Sequence, residues 1–125
     1  MSKIPAELSY TASHEWACEE NGVWTVGLTD YAQSTLGGIV FIELPAVGDA
    51  VTADERFADV ESVKAVSEVF SPVTGTVCAV NEALADSPEM INDDPYGAWL
   101  IKVEGKPGKL LTAKEYEAEI ASQEG

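Results

Sequence analysis

The sequence predicts a mainly β fold: a compact antiparallel structure with short helices at its side and a helix at its C-terminus. Three observations carry this. Short runs rich in Val, Thr, Ile, Phe and Trp fill the first two thirds of the chain, the residue types that suit a pleated, half-buried surface. Asn-Gly and Pro/Gly pairs separate those runs. Helical spacing becomes sustained only at "LTAKEYEAEIAS" near the end.

"EWACEENGVWTVGL" is two runs around Asn21-Gly22, a hairpin signal because a type I′ turn needs positive φ at both central positions. "TDYAQSTLGG" reads as a brief helix, with Asp30 as cap, Gln33 three residues on and Gly37-Gly38 as its end. "IVFIELP" reads as a buried strand stopped by Pro45, with Phe41 in the core. Gly48-Asp49 mark a turn, and "RFADVES" and "AVSEVFS" are strands on either side of Lys64. "SPVTGTVCAVN" starts at a proline corner and becomes a strand, in which Val77, Ala79 and Asn81 alternate with Cys78 and Val80. Gly75 reads as a turn residue required by that return strand, and Trp24 as core.

"ALADSPEMINDDPYGAW" is loop-rich with a short helical turn, and Trp99 is expected partly at the surface. "LIKVEG" is a last strand and "GKPGK" a linker-like break. The terminal helix opens on a capping box of Thr112 and Glu115, with Tyr116 and Ile120 four apart on one face. At 125 residues, without an interdomain linker or tandem repeat, the chain reads as a single domain, 1–125.

Acidic residues number 22 against 7 basic ones, for a net charge of −15. Such a balance argues against nucleic acid, whose binding needs clustered Lys and Arg, and against an anionic membrane surface. It favours solubility and steered encounter with proteins that carry basic faces. Cys18 and Cys78 lie far apart outside any C-x-x-C or His/Cys cluster, so they read as reduced, strand-embedded residues, with no metal site. The N-terminus lacks an apolar or Arg-rich amphipathic stretch and no run reaches membrane-spanning length, so a cytoplasmic protein is expected.

Lys64 stands in "VESVKAVSE", a lone cation at the bend between two strands. A catalytic lysine needs burial to bring its pKa down from about 10.4. Ser, Val and Ala around a bend give no deep pocket. The position suits attachment instead, because a modifying enzyme can reach the amine from outside. His14, the single histidine, has neither nucleophile nor metal partners near it in sequence, so a packing role is expected. An enzyme using His14, Cys18 or Lys64 as nucleophile would lack a base-orienter pair.

"ESVKAVSEVFSPVTGTVCAVN" resembles the lipoyl attachment segment of the glycine cleavage system H proteins. "YTASHEWACEENGVWTVGLTDYAQSTLGGIVFIELPAVG", "INDDPYGAWLIKV" and "LTAKEYEAEI" resemble further segments of that family, in the same order. Plain lipoyl domains usually carry an aspartate before the lysine and biotin carriers a methionine on each side, and Val63 and Ala65 fit neither pattern as well.

The resemblance implies a barrel-sandwich hybrid fold, with lipoate in amide linkage on Lys64 and no catalysis by the chain itself. It implies shuttling of an aminomethyl group from a decarboxylating, pyridoxal-phosphate glycine dehydrogenase to a tetrahydrofolate-dependent aminomethyltransferase. A flavin dihydrolipoamide dehydrogenase would reoxidise the arm, and a monomer is expected. A tethered dithiolane reaches several active sites at an effective concentration set by its tether. Glu61 and Ser62 are candidate determinants for the lipoylating enzyme, next to Val63 and Ala65. Ser13, Glu15 and Glu68 match positions of a cleft that would shelter the loaded arm, whereas Glu15 could otherwise be the outward residue of a strand whose Trp16 faces in. Alternatives are a lipoate relay serving other complexes, a biotinyl-type carrier, or an interaction module whose lysine stays bare.

Three departures from the family pattern bear on the cleft and on partner contacts. Glu68 replaces a common aspartate, Gly38 stands where an acid is common, and the stretch between Tyr96 and Trp99 is one residue short.

Overall fold

The computed structural model describes residues 3–124. Its strands are β1 (Ser9–Tyr10), β2 (Glu15–Glu20), β3 (Val23–Leu28), β4 (Ile39–Glu43), β5 (Ala50–Val51), β6 (Arg56–Ser62), β7 (Val66–Phe70), β8 (Val73–Val80) and β9 (Ile101–Pro107). Its helices are α1 (Asp30–Leu36), α2 (Ala83–Asp86), α3 (Met90–Asp93) and α4 (Ala113–Glu124). Two antiparallel sheets result, one ordered β1-β2-β3-β9-β8-β5 and the other β4-β6-β7. The mainly β class with short helices and a C-terminal helix is thus observed. None of the helices described is long and apolar enough to cross a membrane.

The β2–β3 hairpin turns at Asn21 (φ 54°) and Gly22 (φ 81°), both in the left-handed region as its turn type requires. The inner faces of the two sheets meet in one apolar core that includes Trp24, Val26, Ile42, Val60, Val69, Val77 and Val103. A second, smaller core forms where α4 covers β1 and β2. Tyr10, Trp16, Tyr116 and Ile120 are buried there, and the Tyr10 and Tyr116 rings stack with centroids 4.7 Å apart. The capping box of α4 is reciprocal: Glu115 N donates to Thr112 Oγ1 at 3.1 Å and Thr112 N to Glu115 Oε1 at 2.9 Å.

Several expectations need correction. Thr29, not Asp30, caps α1, accepting from Ala32 N at 3.2 Å; Asp30 is the first helical residue and accepts instead from Gln33 Nε2. Strand β4 is not buried throughout. A bulge between Ile39 and Phe41 breaks its alternation, so Val40 and Phe41 both face outward while Ile39 and Ile42 face the core. Phe41 is therefore a surface residue.

Gly75 is no turn. It pairs with Gly105 inside the β8–β9 ladder, where a Cβ would sit 2.0 Å from the Glu104 carbonyl oxygen. The glycines there permit close approach of two backbones. Strand β9 likewise runs on through Gly105, Lys106 and Pro107, absorbing part of the expected break. Cys18 in β2 is exposed and Cys78 in β8 partly so, and both are free thiols. Trp99 is half-buried, with Lys102 Nζ 5.0 Å from its ring centroid.

Candidate functional site

Strands β6 and β7 form a hairpin whose bend is Val63-Lys64, and the bend is held from within. Ser62, buried at 6% exposure, accepts at Oγ from the backbone N–H groups of Lys64 and Ala65, both at 3.2 Å, and donates to Ala65 O. Ser62 N also donates to Ala65 O at 2.8 Å. Lys64 itself is exposed. Among the described residues no carboxylate lies within ion-pair distance of its amine. The Nζ instead donates to Thr35 O at 3.4 Å, at the C-terminal end of α1, where helix carbonyls favour a cation.

That helix end forms a bed for the lysine. Gly37 (φ 81°) closes α1, and a Cβ on it would meet Lys64 Cε at 3.3 Å. Val63 N donates to Gly38 O at 2.9 Å, joining hairpin to bed. Asn92 of α3 fixes the bed from the other side. Its Oδ1 accepts from Ile39 N at 2.8 Å, and its Nδ2 donates to Gln33 Oε1 and Gly37 O, both at 2.9 Å. Sequence reading passed over Asn92, Gly37's packing role and Thr35. The only signal was an Asn in "INDDPYG", whose contacts lie 53 to 59 residues away.

Thr35 also borders a cleft of about 260 Å³ beside β7, whose lining includes Ser13, Glu15 and Glu68 together with His14, Tyr31 and Ser67. The three residues expected to meet in a cleft do meet. Glu15 is not an outward strand residue: it is 1% exposed, next to an equally buried Trp16. Its Oε1 accepts from Thr11 Oγ1 and Ser13 Oγ, both at 2.6 Å, and its Oε2 from Phe70 N at 3.2 Å. Burial pushes its pKa from the usual 4.5 up to about 7, because desolvation of the charge outweighs those three donors.

Glu68 lies at the exposed rim of the cleft. Its Oε2 is 3.9 Å from Nε of Arg56, which pairs more closely with Asp59 and also approaches Glu43. Asp59 is held below the usual carboxylate range by its hydrogen bonds from Arg56.

His14 has the packing role expected, although it borders the cleft. The Gln123 side-chain nitrogen donates to Ala12 O at 2.9 Å and Glu119 Oε2 at 3.0 Å, so its oxygen faces His14 Nε2 at 2.8 Å. Nε2 then donates and Nδ1 accepts from the Tyr116 hydroxyl at 2.8 Å. That hydroxyl accepts in turn from Thr29, at 2.7 Å. Burial lowers the His14 pKa, which suits the neutral ring this chain of bonds requires.

The arrangement offers an accessible amine with a ready bed and, beside it, a pocket that holds one neutralisable carboxylate. Among the described residues it brings no nucleophile–base pair to the lysine.

Residues 8–123 match the family described as Glycine cleavage H-protein. A glycine cleavage system H protein of Alcanivorax borkumensis is 52% identical, over 98% of this chain and 100% of its own length. One from Psychrobacter sp. strain PRwf-1 is 54% identical, over 96% of this chain and 100% of its own length. Among solved structures, a glycine cleavage system H protein from Mycobacterium marinum superimposes with a TM-score of 0.90. It is 43% identical, covering 94% of this chain and 99% of that one.

Proposed function

The chain belongs to the glycine cleavage H-protein family, and from that premise we propose that Lys64 bears lipoate in amide linkage. Membership makes the protein a lipoyl carrier of the glycine cleavage system, a carrier and not an enzyme. Lipoate held there would supply a disulfide that opens to take a one-carbon amine or two electrons and closes again.

The observation that carries the assignment of Lys64 is its geometry. The amine stands in solvent at a hairpin bend, without a carboxylate partner among the described residues, against a bed cleared by Gly37. Acylation of such an amine costs neither an ion pair nor burial of a charge. Ser62 orders the bend from beneath, which makes it a positioning residue, while Glu61 beside it is exposed and free to meet the modifying enzyme.

The cleft fits the arm's cargo. Glu15 is poised to lose its proton when a cationic amine enters, since a nearby positive charge favours the carboxylate. The Ser13 and Thr11 hydroxyls and Phe70 N–H hold that carboxylate in one orientation. Glu68 closes the rim, and its extra methylene relative to aspartate lets it reach either the cleft or Arg56. Leu28, Val60 and Val69 give the cleft an apolar wall, and an arm folded against it would be shielded from water on that side, slowing loss of a hydrolysable group.

As a component of the system, the protein works with that system's other proteins. We assign to it the decarboxylating glycine dehydrogenase, the aminomethyltransferase, dihydrolipoamide dehydrogenase and a lipoylating enzyme, met as a monomer. A net charge of −15 supports encounter with basic protein faces. Intact mass and a peptide map after expression with a lipoylation pathway test the reading. The expected result is one lipoyl group on Lys64. A bare Lys64 or a biotinyl group on it overturns the assignment.

A further inference from the structure

Among the described residues, the exposed large apolar side chains are Val40, Phe41, Val47, Val63, Val66 and Met90. Four of them gather around one point. Phe41, Glu61 and Val66 are cross-strand neighbours on β4, β6 and β7, so their side chains leave the same, outer face of the small sheet. Val40 joins them because the bulge turns it outward beside Phe41. Val63, 71% exposed, lies over Gly37 and Gly38, within 3.8 Å of where their Cβ atoms would be. Lys64 follows it in sequence. Behind this apolar row comes an acidic one: Glu43, Asp59 and Glu68 are mutual neighbours across the same strands.

We propose that Val40, Phe41, Val63 and Val66, with Glu61 among them, form the docking surface for the enzyme that acylates Lys64, and that this enzyme presents an apolar mouth with a basic rim. The inference rests on the attachment reading above and adds the partner's footprint to it. Reach decides the occupant. To form a bond at Nζ, an enzyme must hold its reactive carbon about 3–3.5 Å from that nitrogen, so its surface has to lie on the residues around Lys64. Enzymes acting on the far end of an attached arm stand off by the length of the lysine and its acyl chain, and can work without this patch. Charge decides the rim. Glu61 sits between Phe41 and Val66, with Glu43 and Glu68 one row behind, while the chain's only arginine, Arg56, is committed mainly to Asp59. Basic groups on the partner would therefore meet carboxylates around an apolar centre, the pattern of a specific interface.

In the step itself the deprotonated Nζ attacks the carbonyl carbon of an acyl adenylate or acyl thioester. The C–N bond forms, and the bond to the phosphate oxygen or sulfur breaks with its electron pair leaving on that atom. The proton lost from nitrogen passes to solvent, and nothing is oxidised or reduced.

The test uses the full-length protein, a bacterial lipoate ligase, lipoate and ATP, with the rate followed by intact mass over a range of acceptor concentrations. Phe41→Ser and Val66→Ser change exposed side chains, and circular dichroism checks that the fold persists. Each is expected to lower kcat/KM by about tenfold, chiefly through KM, as loss of an apolar anchor does. Glu61→Lys should raise KM as well, with the difference shrinking at high salt. Fully lipoylated variants should still be reduced by dihydrolipoamide dehydrogenase at the wild-type rate. Acylation kinetics within about twofold of wild type, or equal losses in both assays, would overturn the docking surface while leaving attachment at Lys64 intact. A wild-type chain that never acquires a lipoyl group sinks the attachment reading and this surface with it.

Discussion

Lys64 stands in water at the end of a hairpin, whereas Glu15 is 1% exposed and held by Thr11, Ser13 and the Phe70 N–H. The lysine's surroundings act on its backbone: Ser62 and Gly38 order the bend and leave the amine free. Those of Glu15 act on its charge, with burial raising its pKa to about 7 against three hydrogen-bond donors. One group is built to be reached by other proteins, the other to answer the charge of whatever enters the cleft. Shape control suffices for an attachment point, while a cargo pocket needs control of a proton.

Breaking the first half of this contrast gives the largest effect. Lys64→Arg keeps the cation and most of the stem but replaces the amine with a guanidinium that stays protonated and is a poor acyl acceptor. Lipoylation should vanish in intact mass, and carrier function with it. The melting temperature should stay near that of wild type, because the Lys64 side chain makes, among the described residues, one long hydrogen bond, to Thr35 O. A variant that unfolds would mean that the lysine supports the structure.

The second half is broken at Glu15. A buried acid whose folded pKa exceeds its unfolded value favours folding at low pH, and that contribution is lost as pH rises through the folded value. The window here runs from 4.5 to about 7. Each tenfold change in proton affinity is worth about 1.4 kcal/mol, so the cost of the buried charge above that window is roughly 3 kcal/mol. Glu15→Gln removes it. The amide nitrogen can donate to the Thr11 and Ser13 hydroxyls while its oxygen accepts from Phe70 N–H. Urea titrations should therefore find the variant more stable than wild type by up to about 3 kcal/mol above pH 7, with the gap closing toward pH 4.5. His14, whose lowered pKa works in the opposite sense, is present in both proteins and largely cancels in the difference. Equal stabilities across the range would mean that Glu15 is solvated and not poised. The same variant should shelter a cationic cargo less well, which faster hydrolysis of the loaded arm would report.

How much of this was legible in the sequence depends on the range of the interactions. The Asn21-Gly22 hairpin, the Thr112–Glu115 capping box and the Lys64 bend are local: the residues that make each lie within a few positions of one another, and each was read correctly. Ser13, Glu15 and Glu68 were placed in a common cleft only through resemblance to a family, since nothing in composition or spacing brings β2 to the edge of β7. Phe41 was misread because strict alternation assigns faces, and a one-residue bulge shifts them. Gly75 was misread as a turn because its reason, the Glu104 carbonyl 2.0 Å from a would-be Cβ, belongs to a strand about thirty residues on. Asn92 was missed because a side chain that fastens a helix end to a strand start leaves no periodic trace.

The smallest effect sharpens the contrast at Ser62. Its hydroxyl holds the bend through three bonds of 3.2 Å, long for such contacts, and the N–H groups it serves belong to exposed residues that water can satisfy. Ser62→Ala should therefore cost only about 1 kcal/mol of stability in urea titration. The bend would then sample more conformations, and an enzyme that accepts only one of them would see a smaller competent fraction. Lipoylation kcat/KM should fall a fewfold, and Ser62→Thr, which keeps the hydroxyl, should recover part of the loss if the added methyl fits at this buried position. If Ser62→Ala is lipoylated as fast as wild type, the backbone pairing of Ser62 N with Ala65 O and of Val63 N with Gly38 O is enough to present the amine, and the hydroxyl adds only stability.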